Sequence, residues 1–86
     1  MLVKHKQFFI NLNPLIIDRW IPFTGEIPSN AVEGGYELNE KLFVGKKFHN
    51  GFHLIGKITS FEKVIYIPYQ HRELKFSSNF DILVVD

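Results

Sequence analysis

The residues of this chain that could perform chemistry are four histidines, nine acidic residues and a few serines, with no cysteine. Without cysteine the chain cannot form a disulfide, a thiol nucleophile, an iron–sulfur site or a zinc finger. The serines lie in turn-like contexts, and none has the Gly-x-Ser-x-Gly pattern of a nucleophile elbow; they are Ser29, Ser60, Ser77 and Ser78. No phosphate-binding loop or dinucleotide fingerprint occurs. The sequence therefore predicts a protein that is not an enzyme.

The spacing of the histidines does not favour a shared metal ion. In a hairpin that turns at Asn50-Gly51, His49 and His53 fall on opposite faces of the ribbon. His71 is followed by Arg72, whose positive charge is a poor neighbour for a cation. We therefore predict no metal site and no cofactor.

Length and charge narrow the class of protein further. The chain has 86 residues, enough for one small domain, and its 45% hydrophobic content supports a packed core. Ten basic and nine acidic residues give a net charge of +1, which argues against nucleic acid and polybasic membrane surfaces as partners. No apolar run approaches the roughly 20 residues that span a bilayer. The N-terminal apolar run lacks a small-residue cleavage site, so we expect a cytoplasmic protein, or one released without a clear signal peptide.

Short runs of β-branched and aromatic residues, separated by Gly, Pro, Asn and Ser, predict an all-β fold. The candidate strands are residues 15–21, 31–36, 41–49, 52–58, 63–69 and 79–85. Asn50-Gly51 is the preferred central pair of a type I′ turn, which pairs His49 with Phe52 and Val44 with Lys57. This register places Gly45 and Gly56 on the same face of adjoining strands, where they most simply allow the sheet to bend.

Short motifs follow one another in a fixed order from Trp20 to the end of the chain. The first are Trp20, Gly25, Ile27-Pro28, Ala31-Val32 and Gly34-Gly35. The later ones are Leu42-Phe43-Val44-Gly45-Lys46, Ile55-Gly56-Lys57, Tyr66-Ile67-Pro68-Tyr69, Arg72-Glu73-Leu74 and Phe80-Asp81-Ile82-Leu83. In this order they resemble the DM-nine repeat, a β module of mannose-binding lectins and natterin-like toxins. The resemblance implies small twisted antiparallel sheets, completed by a second copy.

The resemblance covers residues 20–86, which we predict to be the repeat domain, and leaves residues 1–19 as an N-terminal extension. Three positions depart from the family pattern: Ile55 stands before Gly56 where proline is usual, Lys46 where arginine is usual, and Leu74 where histidine is expected. A single repeat would leave strand edges open, a state that proteins avoid. We therefore predict a homodimer in which residues 1–19, or the strand at 80–85, cross to the partner.

In mannose-binding members of the family, an acidic residue after a Gly-aromatic pair and the lysine of a Gly-Lys motif hold the sugar. The resemblance assigns these roles to Glu37 and Lys57. A carboxylate accepts hydrogen bonds from vicinal hydroxyls, and an ammonium donates to their lone pairs. Alternatively, both residues are solvated and form a weak surface pair. Strand alternation turns Tyr36 away from Glu37 and predicts that Tyr36 lies in the core, and Trp20 is predicted to anchor the packing.

The resemblance thus implies a non-catalytic carbohydrate-binding module of the mannose-type lectin class, with mannose-type glycans as partners and a role in innate immune recognition. The alternative is a protein-interaction domain that uses the same β surface without binding sugar.

Overall fold

The computed structural model describes the backbone of Gln7–Phe8 and all of residues 18–86, and no helix occurs in this part of the chain. Its strands are β1 (Gln7–Phe8), β2 (Asp18–Pro22), β3 (Glu33–Glu37), β4 (Glu40–His49), β5 (Phe52–Thr59), β6 (Ile65–Tyr69), β7 (Arg72–Phe76) and β8 (Asp81–Val85). All strand pairs are antiparallel. The predicted all-β class is confirmed, and completion by a second copy stays a prediction.

Strand β4 organises the sheet because both of its edges are paired. Strand β5 runs along one edge, from the pair Leu42–Thr59 to the pair His49–Phe52. Strands β3 and β8 share the other edge, with β8 opposite Gly45 and Lys46. Beyond β5 the sheet continues through β6 to β7, and β2 pairs with the far edge of β8. The result is an open sheet with its longest ladder at the centre.

The hairpin between β4 and β5 forms as the sequence predicts. Asn50 and Gly51 have φ angles of 51° and 85°, the positive values that a type I′ turn requires. His49 pairs with Phe52, and every following pair keeps that register. The hairpin prediction is confirmed, and it fixes which side chains share a face of the sheet.

Apolar side chains are buried on both faces of the sheet, and on one face seven of them form a cluster: Phe43, Ile58, Ile65, Ile67, Phe80, Ile82 and Val84. Gly45 and Gly56 pair directly across β4 and β5 on this face. A Cβ atom on Gly45 would lie 2.6 Å from Cδ1 of Ile65, and one on Gly56 would overlap the carbonyl of Tyr66. The paired glycines therefore allow β6 and the core to pack closely against the hairpin.

The structure differs from the sequence predictions at several elements. Strand β7 was not among the candidate strands, and residues 15–17 of the first candidate lie outside the described residues. Tyr36 is 60% exposed, so its predicted place in the core is wrong. Tyr36 and Glu37 are successive residues of β3, paired with Lys41 and Glu40 of β4. Their side chains therefore lie on opposite faces of the sheet, as expected.

Trp20 is half-buried on β2, and the Nζ atom of Lys46 lies 4.9 Å from the centroid of its ring. The ammonium therefore packs over the indole face, a favourable cation–π arrangement. The predicted extension at residues 1–19 falls largely outside the described residues, and its boundary stays a prediction. Within the described part of the chain, no helix has the length and apolar character needed to cross a membrane.

Candidate functional site

Glu37 and Lys57 meet in a nearly buried ion pair. The Nζ atom of Lys57 lies 2.6 Å from Oε1 of Glu37, and their side chains are only 10% and 14% exposed. Glu37 ends β3 and Lys57 lies on β5, so their side chains meet across β4, the strand between them. The structure thus brings together the two residues that the sequence singled out.

The ion pair lines a pocket of about 230 Å³ on the face of the sheet opposite the core cluster. Lys57 pairs with Tyr66 of β6, and the next pair, Ile58 and Ile65, belongs to the core cluster. Because successive residues of a strand point to opposite faces, Lys57 and Tyr66 lie on the face away from that cluster. Side chains from β3 to β7 and their turns form the walls: Glu37, Leu38, Glu40, Lys57, Thr59, Glu62, Tyr66 and Glu73. The pocket is therefore built by five neighbouring strands of the sheet, β3 to β7.

Glu40 ties the β5–β6 turn to the pocket. Its Oε2 atom accepts a hydrogen bond of 2.7 Å from the backbone N–H of Phe61 and one of 3.4 Å from the hydroxyl of Ser60. These bonds join the start of β4 to the turn that follows β5. They hold the Glu40 carboxylate at the wall of the pocket.

Tyr66 and Glu62 form a second polar contact at the pocket. The phenol of Tyr66 donates a hydrogen bond of 2.5 Å to Oε1 of Glu62. This bond lowers the pKa of Glu62, and it is the main cause that raises the pKa of Tyr66 to about 12. Lys75 lies 3.5 Å from the other oxygen of Glu62, and its Nζ is 5.7 Å from the Tyr66 ring centroid. Near neutral pH the phenol is thus protonated and Glu62 is ionised.

Thr59 contributes a buried hydroxyl that, unlike the phenol of Tyr66, makes no hydrogen bond within the described structure. The residue is only 6% exposed, and its Oγ1 atom has no hydrogen-bond partner within the described structure. It lies two residues after Lys57 on β5 and therefore on the same face. Buried hydroxyls normally find a partner, so this unpartnered hydroxyl is an exception among the residues that line the pocket.

The chemistry that these groups can perform is the recognition of a polar, hydroxyl-bearing molecule. The lining carries four carboxylates, one ammonium, a phenol and a hydroxyl, which together offer both acceptors and donors. Within residues 18–86 no group of three or more His, Asp or Glu side chains is arranged to hold a metal ion. His49 packs against Tyr69 and His53 packs against Phe48, on opposite faces of the hairpin.

Sequence reasoning missed most of the lining residues. Extending the hairpin register to its last pair, Leu42 with Thr59, would have placed Thr59 beside Lys57. Glu62, Tyr66 and Glu73 depend on the pairing of β6 with β5 and β7, for which the sequence has no Asn-Gly signal. The hairpin alone could therefore predict only one side of the pocket.

The fold and site define a small β domain with a pocket, lined by charged and hydroxyl-bearing residues, on an open antiparallel sheet. The model of the DM9 repeat matches residues 11–76, a range that includes both Glu37 and Lys57. The chain therefore belongs to the DM9 repeat family. Neither the curated proteins nor the solved structures contain a match to the chain.

Proposed function

We propose that this protein is a non-catalytic carbohydrate-binding module that takes a mannose-type sugar in the pocket around Glu37 and Lys57. The observation that carries the proposal is their nearly buried ion pair, which holds an acceptor and a donor side by side at the pocket. Vicinal sugar hydroxyls present donors and acceptors at a similar spacing. One hydroxyl can donate to Glu37 while its neighbour accepts from Lys57.

Two features of the pair favour binding. Charge-assisted hydrogen bonds are roughly twice as strong as neutral ones, and both groups of the pair are ionisable. Their mutual contact also holds the two side chains in one arrangement, which reduces the entropy lost when a ligand orders them. A small polar ligand can thus gain affinity from few contacts.

The test is retention on mannose-agarose with elution by free mannose. Lys57→Met and Glu37→Gln should each abolish specific retention. Lys41→Met is the matched control, because Lys41 forms an exposed ion pair with Glu33 on β3 and β4, with side chains 53% and 50% exposed. Equal loss of retention in the Lys41 variant, or full retention in the Lys57 variant, would refute the assignment of the site.

We further propose that the protein acts as a homodimer in the recognition of glycosylated surfaces, as in innate immunity. One small site binds a monosaccharide weakly, whereas two linked sites gain avidity on a surface that displays many copies. Open strand edges, which proteins usually cover, support pairing with a second copy. Light scattering at micromolar concentration should give twice the mass of the chain, and a monomer would refute the dimer.

A second candidate function is the binding of a protein partner. It is supported by apolar side chains exposed near the turn of the β4–β5 hairpin: Phe48 at 59%, Phe52 at 63% and Ile55 at 42%. Large exposed rings are enriched at protein interfaces. Phe52→Ser separates the candidates, because it should remove partner capture and leave retention on mannose unchanged.

A further inference from the structure

We infer that the pocket prefers a sugar joined to an apolar group, such as an alkyl or aromatic aglycone, over the same sugar without one. This inference rests on the proposed function of the same site and names the class of ligand that the site selects. Leu38 and Phe61, at one end of the pocket, are the residues that contact the apolar group.

The first argument is the depth at which polar and apolar side chains line the pocket. The side chains of Lys57 and Glu37 are only 10% and 14% exposed, and Thr59 is nearly buried. Leu38 lines the same pocket and is 81% exposed. A ligand that fills the pocket thus meets polar groups at its base and an apolar side chain at its mouth.

The second argument is that the fold does not favour leucine at position 38. Leu38 begins the turn between β3 and β4 with a φ of 50°. This left-handed conformation suits Gly, Asn and Asp, and of the seven non-glycine residues that adopt a positive φ among the described residues, Leu38 is the one with an apolar side chain. Neither its conformation nor its burial stabilises it, which points to a contact made outside the fold.

Phe61 provides a second exposed apolar side chain at the same end of the pocket. It lies on the β5–β6 turn and is 74% exposed. Its backbone N–H donates a hydrogen bond of 2.7 Å to Oε2 of Glu40, the residue that directly follows the Leu38-Asn39 turn. The N–H of Lys63 bonds to the carbonyl of Thr59 at 2.8 Å and closes the β5–β6 turn. The turns that carry Leu38 and Phe61 are therefore held to each other through Glu40.

The size of the pocket separates the two parts of the ligand. Its volume of about 230 Å³ is below the roughly 300–1,000 Å³ of sites that enclose a drug-sized molecule. One sugar ring is small enough to enter it, whereas a larger substituent stays at the mouth. There the substituent withdraws its own apolar surface and that of Leu38 from water, which is favourable.

The experiment compares the dissociation constants of four probes, measured by NMR titration: methyl, hexyl and phenyl α-mannoside, and phenol. We expect hexyl and phenyl mannoside to bind about tenfold more tightly than methyl mannoside, the gain expected when about 55 Å² of apolar surface leaves water. Phenol without the sugar should bind far more weakly than phenyl mannoside, because it makes no contact with the ion pair.

Leu38→Asn removes the apolar contact and is compatible with the backbone, because Asn tolerates a positive φ. It should reduce the preference for phenyl over methyl mannoside about fivefold and leave the affinity for methyl mannoside unchanged. Phe61→Ser should reduce the preference about threefold. Phe52→Ser is the matched control, because it removes an exposed ring at the opposite end of the β4–β5 hairpin and should not change the preference.

Urea unfolding of the Leu38 variant is an independent check. Leu38→Asn should be at least as stable as the wild type, since it relieves an unfavourable conformation and loses no buried surface. A clear loss of stability would show that Leu38 packs within the fold and would overturn the inference.

The binding results distinguish this inference from the proposed function. Equal affinity of the wild type for methyl, hexyl and phenyl mannoside would overturn the inference and leave the proposed function standing. Absence of binding by all three mannosides would overturn both. An undiminished preference in the Leu38 variant, or binding of phenol as tight as that of phenyl mannoside, would also refute the inference.

Discussion

The two ends of the β4–β5 hairpin differ in which side chains they bury. At the end that contains Lys57 and Thr59, a lysine and a threonine are buried. At the turn, Phe48 and Phe52 are mostly exposed. One unbroken register joins the two ends, so the difference does not come from the hairpin itself.

The neighbouring strands explain the contrast. Strand β6 pairs with β5 only at Lys57 and Ile58, and on the other edge of the hairpin β3 and β8 pair with β4 no further than Lys46. Beyond these pairs the hairpin projects from the most crowded part of the sheet. Burial in a domain this small is therefore decided by which strands flank a position, and polar groups at the crowded end must find partners there.

A large effect on stability is expected from a substitution at the crowded end. Gly56→Ala would place a Cβ atom against the carbonyl of Tyr66 and 2.6 Å from Cγ1 of Ile67. Because backbone must move to accept it, we expect the free energy of unfolding to fall by about 3 kcal/mol. The measurement is urea unfolding followed by tryptophan fluorescence.

The matched control for this change is Gly51→Ala at the turn. A Cβ atom there meets nothing within 4 Å, so only the positive φ angle of 85° opposes it. We expect a loss of about 1 kcal/mol. Equal losses at Gly51 and Gly56 would show that crowding by β6 is not what distinguishes the two ends.

The next effect concerns the ion pair. Lys57→Met leaves the Glu37 carboxylate nearly buried without its partner, and we expect the free energy of unfolding to fall by about 2 kcal/mol. Glu37→Gln should cost a similar amount. The double variant should lose less than the sum, with a coupling of about 1 kcal/mol.

The same double-mutant cycle on Glu33 and Lys41 is the control. That pair is about half exposed, and exposed pairs contribute less than about 1 kcal/mol. A coupling at Glu37 and Lys57 no larger than at Glu33 and Lys41 would mean that burial does not strengthen the pair.

The turns show how much of the fold the sequence could predict. Asn50 and Gly51 belong to the preferred type I′ pair, and both the turn and the register were predicted from them. Leu38-Asn39 and Gln70-His71 adopt the same pair of positive φ angles. Neither pair is a preferred type I′ sequence, so the sequence does not predict these turns. The sequence analysis therefore missed β7, which follows the Gln70-His71 turn.

Of the pocket residues, too, some could be predicted from the sequence and others could not. The resemblance to the DM-nine repeat pointed to Glu37 and Lys57, and the structure places them in contact. Thr59 could have been inferred from the hairpin register, as its partner is Leu42. Tyr66 and Glu73 could not, because their positions depend on strand pairings that no local signal specifies.

The contact between Tyr66 and Glu62 predicts a pH effect at the pocket end. The bond to Glu62 raises the pKa of Tyr66 from 10.0 to about 12, so the folded state binds the phenolic proton more tightly than the unfolded state. Its stabilising contribution is therefore complete below pH 10 and is lost as the pH rises toward about 12. Phenolate absorbance should show one tyrosine that titrates late, and Glu62→Gln should remove that delay.

Glu62, the acidic partner in the same contact, contributes to stability with the opposite pH dependence. The pKa of Glu62 is lowered from 4.5, chiefly by the bond from Tyr66. Its contribution to stability is present above 4.5 and is lost as the pH falls through the lower pKa of the folded state. Tyr66→Phe should therefore make unfolding less dependent on pH in this acid range, and an unchanged dependence would refute the assignment.

The smallest effect on stability is expected at the turn of the hairpin. Phe52→Ser replaces a ring that is 63% exposed, and we expect the free energy of unfolding to change by less than about 0.5 kcal/mol. Phe43→Ser, on the same hairpin but in the core cluster, should destabilise the fold by about 3 kcal/mol or more. If Phe52→Ser proved comparably destabilising, the ring would have to pack against something in solution. Measuring the loss at several protein concentrations would then distinguish a contact within one chain from a contact between two copies.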